Sequence, residues 1–362
     1  MRQYRNQVLA GLLFITIVLI AVVAVTGADE LAANLEDFPL WVFIPVFLLK
    51  CLNWALRYVE WRYFLGVIGV RTARGLRERP APNPDAPVIR ERDSVVLWLA
   101  GLTLSISPGK LAEVLKAVIL KHLSGLDFSR GAPVIFLERL VDGLAVIPLT
   151  AIAMLAVSDS LDTGDVSLGY VRAVLIGVLI ALSLGIVAIQ IKSLAFWFLD
   201  LVKNWPGLRR IHGALRNLYA SSYDLIKLRH LIPMTLIGVA AYTSDAVGFF
   251  LLLRGLGIEG GWTLFGQATF ILGFSVIIAS LSTLPGGAGG RELTIGPMLI
   301  SIVGLSKADS GTATFLIGLF QLWVGVLLGL IVIAVFRATL FPAGIEDEVT
   351  AYEAEKIQNQ EH

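Results

Sequence analysis

Two short segments place proline, glycine, one base and one acid in the middle of otherwise apolar sequence. The first runs from Ser107 to Glu113 with the sequence SPGKLAE, and Lys116 follows it. Serine is a favoured N-cap and proline suits the first helical position, so the pattern predicts a helix that begins inside an apolar region. The free N–H groups and positive dipole end of that helix, together with Lys110, favour binding of an anion such as a phosphate. The candidate residues here are Ser107, Pro108, Gly109, Lys110, Glu113 and Lys116.

The second segment, Leu284 to Glu292, has the sequence LPGGAGGRE. Four glycines in five positions disfavour a helix, since each costs about 1 kcal/mol relative to alanine. Irregular backbone at membrane depth persists only inside the protein or against a polar cavity, so we expect this loop to line a cavity. Glycine allows close backbone approach to a ligand, and Arg291 can bind a phosphate with two N–H groups. The candidate residues are Pro285, Gly286, Gly287, Gly289, Arg291 and Glu292.

Each segment also has a structural interpretation. The first could be a kinked helix end at the membrane interface, with its lysines extending toward the headgroups and Glu113 paired with Lys116. The second could be a tight turn outside the membrane, with Glu292 paired with Arg291. The two segments share the order apolar run, Pro-Gly, base, Glu and apolar helix, which is a weak internal repeat.

A third group of charges lies inside the apolar block Ala132–Val157. Glu138 and Asp142 are four residues apart and share a helix face, while Arg139 can pair with Asp142. Ionisable groups inside a membrane cost about 2.5–3.5 kcal/mol each by insertion scales, so they face a partner or a cavity. Handling of a substrate or proton, and a structural ion network between helices, are both compatible with this pattern.

Other polar residues interrupt two further apolar blocks. Lys50, Asn53 and Arg57 share one helical face, and Asp245 lies in a separate block. Arg57 ends its block and is expected at the membrane interface. Lys50 and Asp245 have long apolar flanks, which favours either a cavity position or a contact between helices.

The elements that position these residues follow from composition. Of 362 residues, 56% are hydrophobic and 16% are charged, whereas soluble domains carry about 25% charged residues. Spanning a bilayer takes about 20 apolar residues, and the N-terminal block is read as a retained helix and not as a cleaved signal. The candidate spans are Val8–Val25, Leu40–Arg57, Ala132–Val157, Val171–Ile191, Leu231–Leu253 and Thr312–Phe336.

The distribution of basic residues predicts the orientation. Six arginines lie in the loop 66–92, and the segment 192–230 is basic and amphipathic, with either an interfacial helix or a solvated connector as its form. The loops 26–39 and 158–170 contain acids and no bases. Because lysine and arginine concentrate in cytoplasmic loops, both termini are predicted to be cytoplasmic. The hypothesis of lipid transport, stated below, sets the chain in a bacterial or archaeal inner membrane.

This orientation constrains the two interrupted regions. The region 95–120 must enter and leave on the cytoplasmic side, so it cannot be one full span. The region 262–303 is predicted to enter from the other side, which gives two re-entrant helices related as an inverted repeat. Its apolar part, Trp262–Leu284, is also long enough to span outright.

The sequence therefore predicts an all-α, polytopic membrane helix bundle with about six full spans and two re-entrant broken helices. It forms a single transmembrane domain, 1–337, with halves at about 1–157 and 171–337 and a short acidic cytoplasmic tail, 338–362. Cys51 is the only cysteine and the four histidines lack metal spacing, so no metal site and no cofactor are expected. A nucleotide-binding phosphate loop is not expected, because the G-K-[ST] ending is missing.

Three motifs together resemble the lysylphosphatidylglycerol synthase transmembrane region, or flippase-like domain, family. SPGKLAE, ERLVD and PGGAGGRE are similar to its P-G-[RK]-x-G-E, E-R-x-x-D and P-G-G-x-G-x-x-E signatures, with Ala112 and Ala288 as departures from the usual Gly and Leu. The resemblance covers nearly the whole chain. It implies kinship with the flippase part of multiple peptide resistance factors, which move aminoacylated phosphatidylglycerol between leaflets, and with hopanoid- and glycolipid-associated members. We expect a standalone membrane member without the soluble synthase domain.

The expected function is movement of an anionic or modified phospholipid, or another lipid-linked headgroup, between leaflets, without catalysis. An intramembrane transferase that uses Glu138, Asp142 or Glu292 as a base is one alternative, although no nucleophile–histidine pair is visible. An accessory subunit of a lipid-modification system is another. The expected partners are membrane lipids, with lipid-modifying enzymes or a second copy of the chain as further candidates and no nucleic acid.

Overall fold

The chain folds into a bundle of long helices, as its composition predicts. The computed structural model describes residues 2–73, 87–104, 106, 111–126, 128–158, 168–202, 212–282 and 284–341. Ser107, Pro108, Gly109 and Lys110 lie outside this part of the chain, as do residues 342–362 of the expected tail, and the Glu113 side chain is likewise outside the description. The described residues 337–340 form a short helix whose Leu340 is buried.

Helices account for nearly all of the described elements. In chain order they are α1 (Arg2–Thr26), α2 (Ala28–Glu36), α3 (Phe43–Val67), α4 (Glu91–Leu104), α5 (Leu111–Ser124), α6 (Phe128–Val157), α7 (Leu168–Gln190), α8 (Lys192–Val202), α9 (His212–Ser222), α10 (Leu228–Gly255), α11 (Trp262–Leu281), α12 (Glu292–Met298), α13 (Lys307–Gly318), α14 (Val324–Val335) and α15 (Arg337–Leu340). A π-helical segment, Leu299–Val303, extends α12, and a second, Leu319–Trp323, joins α13 to α14. Two short parallel strands, β1 (Arg71–Ala73) and β2 (Val88–Arg90), pair between α3 and α4.

Six of these helices are long and apolar enough to cross a membrane. They are Val8–Thr26, Leu40–Val67, Gly131–Val157, Leu228–Gly255, Trp262–Leu281 and the joined helix Lys307–Val335. The predicted polytopic, all-α membrane fold is therefore confirmed. The predicted second span ends too early, because α3 continues ten residues beyond Arg57 to Val67.

The predicted span 171–191 and the amphipathic segment after it correspond to α7, α8 and α9. The part of α7 from Leu179 and helix α8 are together long and apolar enough to cross a membrane, but the two helices meet at a bend of 110°. Helix α8 exposes Trp197, Phe198 and Leu201. A helix that turns away from a span and exposes aromatic and aliphatic side chains fits the interfacial form expected for this segment.

Helices α4 and α5 form the first hairpin. Helix α4 runs antiparallel to α14, since the Thr103 hydroxyl donates to the Val326 carbonyl at 2.7 Å and Arg92 lies 5.0 Å from the Phe336 ring. Helix α5 returns beside α4, where the side chain of Lys116 packs against Gly101. The hairpin therefore enters the bundle from the end where α14 finishes.

Helices α11 and α12 form the second hairpin. Helix α11 runs antiparallel to α6, because Gly266 packs against Val157 and Gly273 against Thr150. The Gln267 side chain near the start of α11 donates to the Ile302 carbonyl at 3.1 Å, so the segment after α12 returns to the end where α11 began. Although α11 alone is long enough to span, its path with α12 is that of the predicted re-entrant hairpin.

The two hairpins enter from opposite ends of the bundle. The helix Lys307–Val335 runs between these ends: its start lies beside α2, where Asn34 donates to Asp309 at 3.2 Å, and its end lies beside the start of α4. The second hairpin returns just before Lys307, and the first begins where Val335 ends. This arrangement is the one expected for an inverted repeat.

Candidate functional site

The glycine-rich loop of the second hairpin is a tight, partly buried turn. Pro285–Gly287 form one turn of 3₁₀ helix, and Gly286, Gly287 and Gly289 have φ of +62°, +69° and +83°, which side chains with a Cβ adopt at a cost. The Glu292 Oε2 atom accepts the Gly289 N–H at 2.7 Å, and this hydrogen bond ties the loop to the start of α12. Glu292 and Arg291, which could have paired, form no ion pair with each other in the described part of the chain.

Replacing Gly287 by alanine should destabilise the protein by about 1–3 kcal/mol, because the new Cβ combines a left-handed backbone with overpacking. That Cβ would lie 2.7 Å from the Ala279 Cβ on α11. Thermal unfolding of the detergent-solubilised protein measures the effect. Gly185→Ala in α7 is the control, since nothing lies within 4 Å of its added Cβ. Equal melting temperatures for the two variants would contradict the tight packing of the loop.

The glycine-rich loop of the second hairpin contacts Ile106 of the first hairpin. A Cβ on Gly286 would lie 3.1 Å from Ile106 Cγ2, so the glycine-rich loop touches the residue directly before Ser107. Around this contact Ile15, Ala288, Leu322 and Val326 are buried together. The structure therefore places the glycine-rich loop against Ile106, the residue that directly precedes the SPGKLAE segment.

Arg291 lies at the start of α12 with two buried nitrogens that have no acceptor. Its Nε and Nη1 atoms are inaccessible and form no hydrogen bond in the described part of the chain. Buried donors are nearly always paired, because an unsatisfied donor pays its full desolvation cost. The guanidinium lies within electrostatic range of the Lys50 ammonium on α3. Two cations within electrostatic range of each other, one of which has two donors without an acceptor in the described residues, suit an anion with several acceptor oxygens.

Lys50 is the centre of a buried polar network that links three helices. Its ammonium donates to both Asp245 carboxylate oxygens, at 3.2 and 3.3 Å, and to Gln321 Oε1 at 3.1 Å. Asn53 donates to the same carboxylate at 3.1 Å and to the Ala241 carbonyl. Of the two interpretations of Lys50 and Asp245, the structure supports a contact between helices, although Lys50 also lies beside Arg291.

The ERLVD motif on α6 forms a second charged cluster with Arg57 of α3. Asp142 pairs with Arg57 through Oδ1 and with Arg139 through Oδ2, the latter at 3.2 Å as the spacing predicted. The Arg57 guanidinium also lies 4.7 Å from the Tyr242 ring centroid. Asp142 and Tyr242 therefore hold Arg57 between helices, and its expected depth at the membrane interface stays a prediction.

Glu138 on α6 binds Lys116 of the first hairpin. Its Oε2 atom accepts from the Lys116 ammonium at 2.6 Å, and the same ammonium lies 4.0 Å from the Trp61 ring. Lys116 thus reaches α6 and α3 from the first hairpin.

Sequence reasoning missed Glu60, a buried acid on α3, because it lies beyond the predicted end of that span. Its position three residues after Arg57 was the available signal.

A narrow cleft reaches the site from the side of the bundle. It has a volume of about 10 Å³, room for about one water, and lies between α1 and the joined helix α13–α14. Ile15, Val18 and Leu19 line one wall, Phe315 and Leu322 line the other, and Glu292 contributes the polar group. Helix α1 lies at the periphery of the bundle, where it exposes Leu9, Leu13, Ile17 and Ile20.

The fold and site define a multi-pass membrane protein with two opposed re-entrant hairpins and a charged interior. The sequence profile of the Lysylphosphatidylglycerol synthase TM region family matches residues 8–329, which is nearly the whole chain. The chain belongs to this family, as its three motifs predicted, and the family associates it with membrane lipids. No curated protein sequence matches the chain.

Proposed function

We propose that the protein moves the phosphate-bearing headgroup of a lipid between the two leaflets of its membrane. The observation that carries this proposal is the Arg291 side chain, whose buried Nε and Nη1 atoms have no acceptor among the described residues. A guanidinium presents its N–H groups in a fixed fork that matches phosphate oxygens. A lipid phosphate that enters between the hairpin tips would satisfy these donors.

The surroundings of Arg291 suit a headgroup whose acyl chains stay outside. The cleft between α1 and α13–α14 is apolar along its walls and ends at Glu292, next to Arg291. If α1 separates from α13–α14 during transport, acyl chains in the widened cleft would remain in contact with lipid while the headgroup occupies the polar interior. The charged clusters along α3, from Lys50 through Arg57, continue the polar path toward the end of α3, where the arginine-rich loop 66–92 begins.

Leaflet exchange in reconstituted vesicles tests the proposal. Purified protein is placed in vesicles that contain fluorescent phosphatidylglycerol, phosphatidylcholine, an aminoacylated phospholipid or a glycolipid, and a membrane-impermeant quencher reports outer-leaflet probe. We expect at least one phosphate-bearing lipid to exchange faster than in protein-free vesicles. Unchanged exchange across the whole lipid panel would remove the proposed function.

A further inference from the structure

Glu60 is a buried acid on α3 to which the proposed headgroup path assigns no role. It is 2% exposed, and its Oε1 atom has no hydrogen-bond partner in the described structure. Gly238 on α10 leaves the room that this oxygen occupies, since a Cβ there would lie 3.2 Å from Oε1. The carboxyl group is therefore enclosed between helices, where water cannot stabilise its charge.

Two neighbouring bases already have carboxylate partners. Arg57 pairs with Asp142, and Lys116 pairs with Glu138. Both of these acids interact electrostatically with Glu60 and oppose a third negative charge. The charged and titratable groups that face this cluster are Arg57 on α3, Lys116 on α5, Glu138, Arg139 and Asp142 on α6, and Tyr242 on α10.

We propose that Glu60 is a proton-binding site that holds a proton while Arg57 is paired with Asp142 and releases it when Arg57 turns to Glu60. Arg57 and Glu60 are three residues apart on one helix, a spacing that brings side chains within pairing reach. In this step the Glu60 carboxyl loses one proton to water and becomes a carboxylate paired with Arg57. Asp142 keeps a cationic partner throughout, because Arg139 still contacts its second oxygen.

The link between this proton and transport rests on the proposed function. An anionic headgroup that passes the clusters on α3 competes with Asp142 and Glu60 for Arg57. Release or uptake of the Glu60 proton would then accompany headgroup movement, so the rate of leaflet exchange should depend on pH in the wild type. A Glu60→Gln variant, which cannot ionise, should lose that dependence.

Infrared spectroscopy of the full-length protein tests the proton site without any transport assay. A protonated carboxyl has its own C=O stretching band, and we expect the wild type to show this band near neutral pH. Glu60→Gln should lose it. Asp142→Asn leaves Arg57 without its partner and removes one repelling charge, so the band should titrate at a lower pH. Glu36→Gln, at the exposed end of α2, should leave the band unchanged.

Two results would overturn the proton site: a Glu60→Gln spectrum identical to that of the wild type, or an unshifted titration in Asp142→Asn. If Glu60→Gln does not yield folded protein by size exclusion, Asp142→Asn still decides the question, because it retains Glu60. Vesicles that show no lipid exchange would contradict the proposed function and leave the infrared result to decide the proton site. Wild-type pH dependence that persists in Glu60→Gln would contradict the coupling.

Discussion

An Arg291→Gln variant should exchange the transported phosphate lipid about 10- to 100-fold more slowly than the wild type. Charge-assisted hydrogen bonds contribute about 1.5–3 kcal/mol each, and about 1.4 kcal/mol corresponds to a factor of ten. Glutamine retains polarity and part of the side-chain stem but loses the charge and the planar fork of N–H groups. Because the Nε and Nη1 atoms of Arg291 have no protein acceptor, removing them should cost little stability. The vesicle assay and a melting temperature are measured on the same preparation.

Two further variants make this result specific. Arg291→Lys keeps the charge without the fork and should be intermediate in rate. Arg254→Gln is the matched control: Arg254 is exposed at the end of α10 and donates to the Ile258 carbonyl at 3.1 Å, so its exchange rate should equal that of the wild type. A folded Arg291→Gln protein with wild-type exchange would exclude Arg291 as the phosphate-binding group.

A Lys50→Met variant should lose about 3–5 kcal/mol of stability, because it leaves the Asp245 carboxylate buried without its cation. Both side chains are less than one-tenth exposed, at 8% and 7%. Gln321 and Asn53 are neutral and cannot replace the lost charge. Unfolding of the purified protein by heat or by a denaturing detergent measures the change.

The double variant Lys50→Met/Asp245→Leu separates the cost of an unpaired charge from that of lost packing. Replacing a buried ion pair by apolar residues is often neutral or stabilising, so the double variant should be more stable than Lys50→Met alone. Arg216→Met is the control for an exposed pair, since Arg216 contacts Asp200 at 3.1 Å with both side chains more than 40% exposed. It should cost at most about 1 kcal/mol. Equal losses for Lys50→Met and Arg216→Met would contradict a buried role for Lys50.

Together these variants assign different roles to two neighbouring cations. Arg291 lacks a protein acceptor for two donors, so its replacement should reduce transport more than stability. Lys50 has three acceptors from α10 and the π-helical segment before α14, so its replacement should reduce stability first. If replacing Lys50 reduced transport more than stability, and replacing Arg291 reduced stability first, the phosphate-binding group would be Lys50 and not Arg291.

The sequence by itself determined the membrane class, most of the spans and the breaks in both hairpins. These features depend on local properties: the length of an apolar run, the helix-starting sequence of Ser107 and Pro108, and the inability of four close glycines to form a helix. The opposite entry of the two hairpins also followed, because loop charges and the number of spans constrain it. The Arg139–Asp142 pair followed from a spacing of three within one helix.

Only the tertiary structure decided which distant charges pair and which remain without a partner. Arg57 and Asp142 are 85 residues apart, and Lys50 and Asp245 are 195 residues apart. Each acid had several bases available, and the choice depends on how each helix is rotated and how deeply it is placed against its neighbours. A rotation of one residue, about 100° on a helix, would turn Glu60 away from Gly238 and Arg57 away from Asp142. The packing of whole helices therefore decides which charges pair. That Arg291 has two donors without an acceptor among the described residues can be seen only from the complete packing.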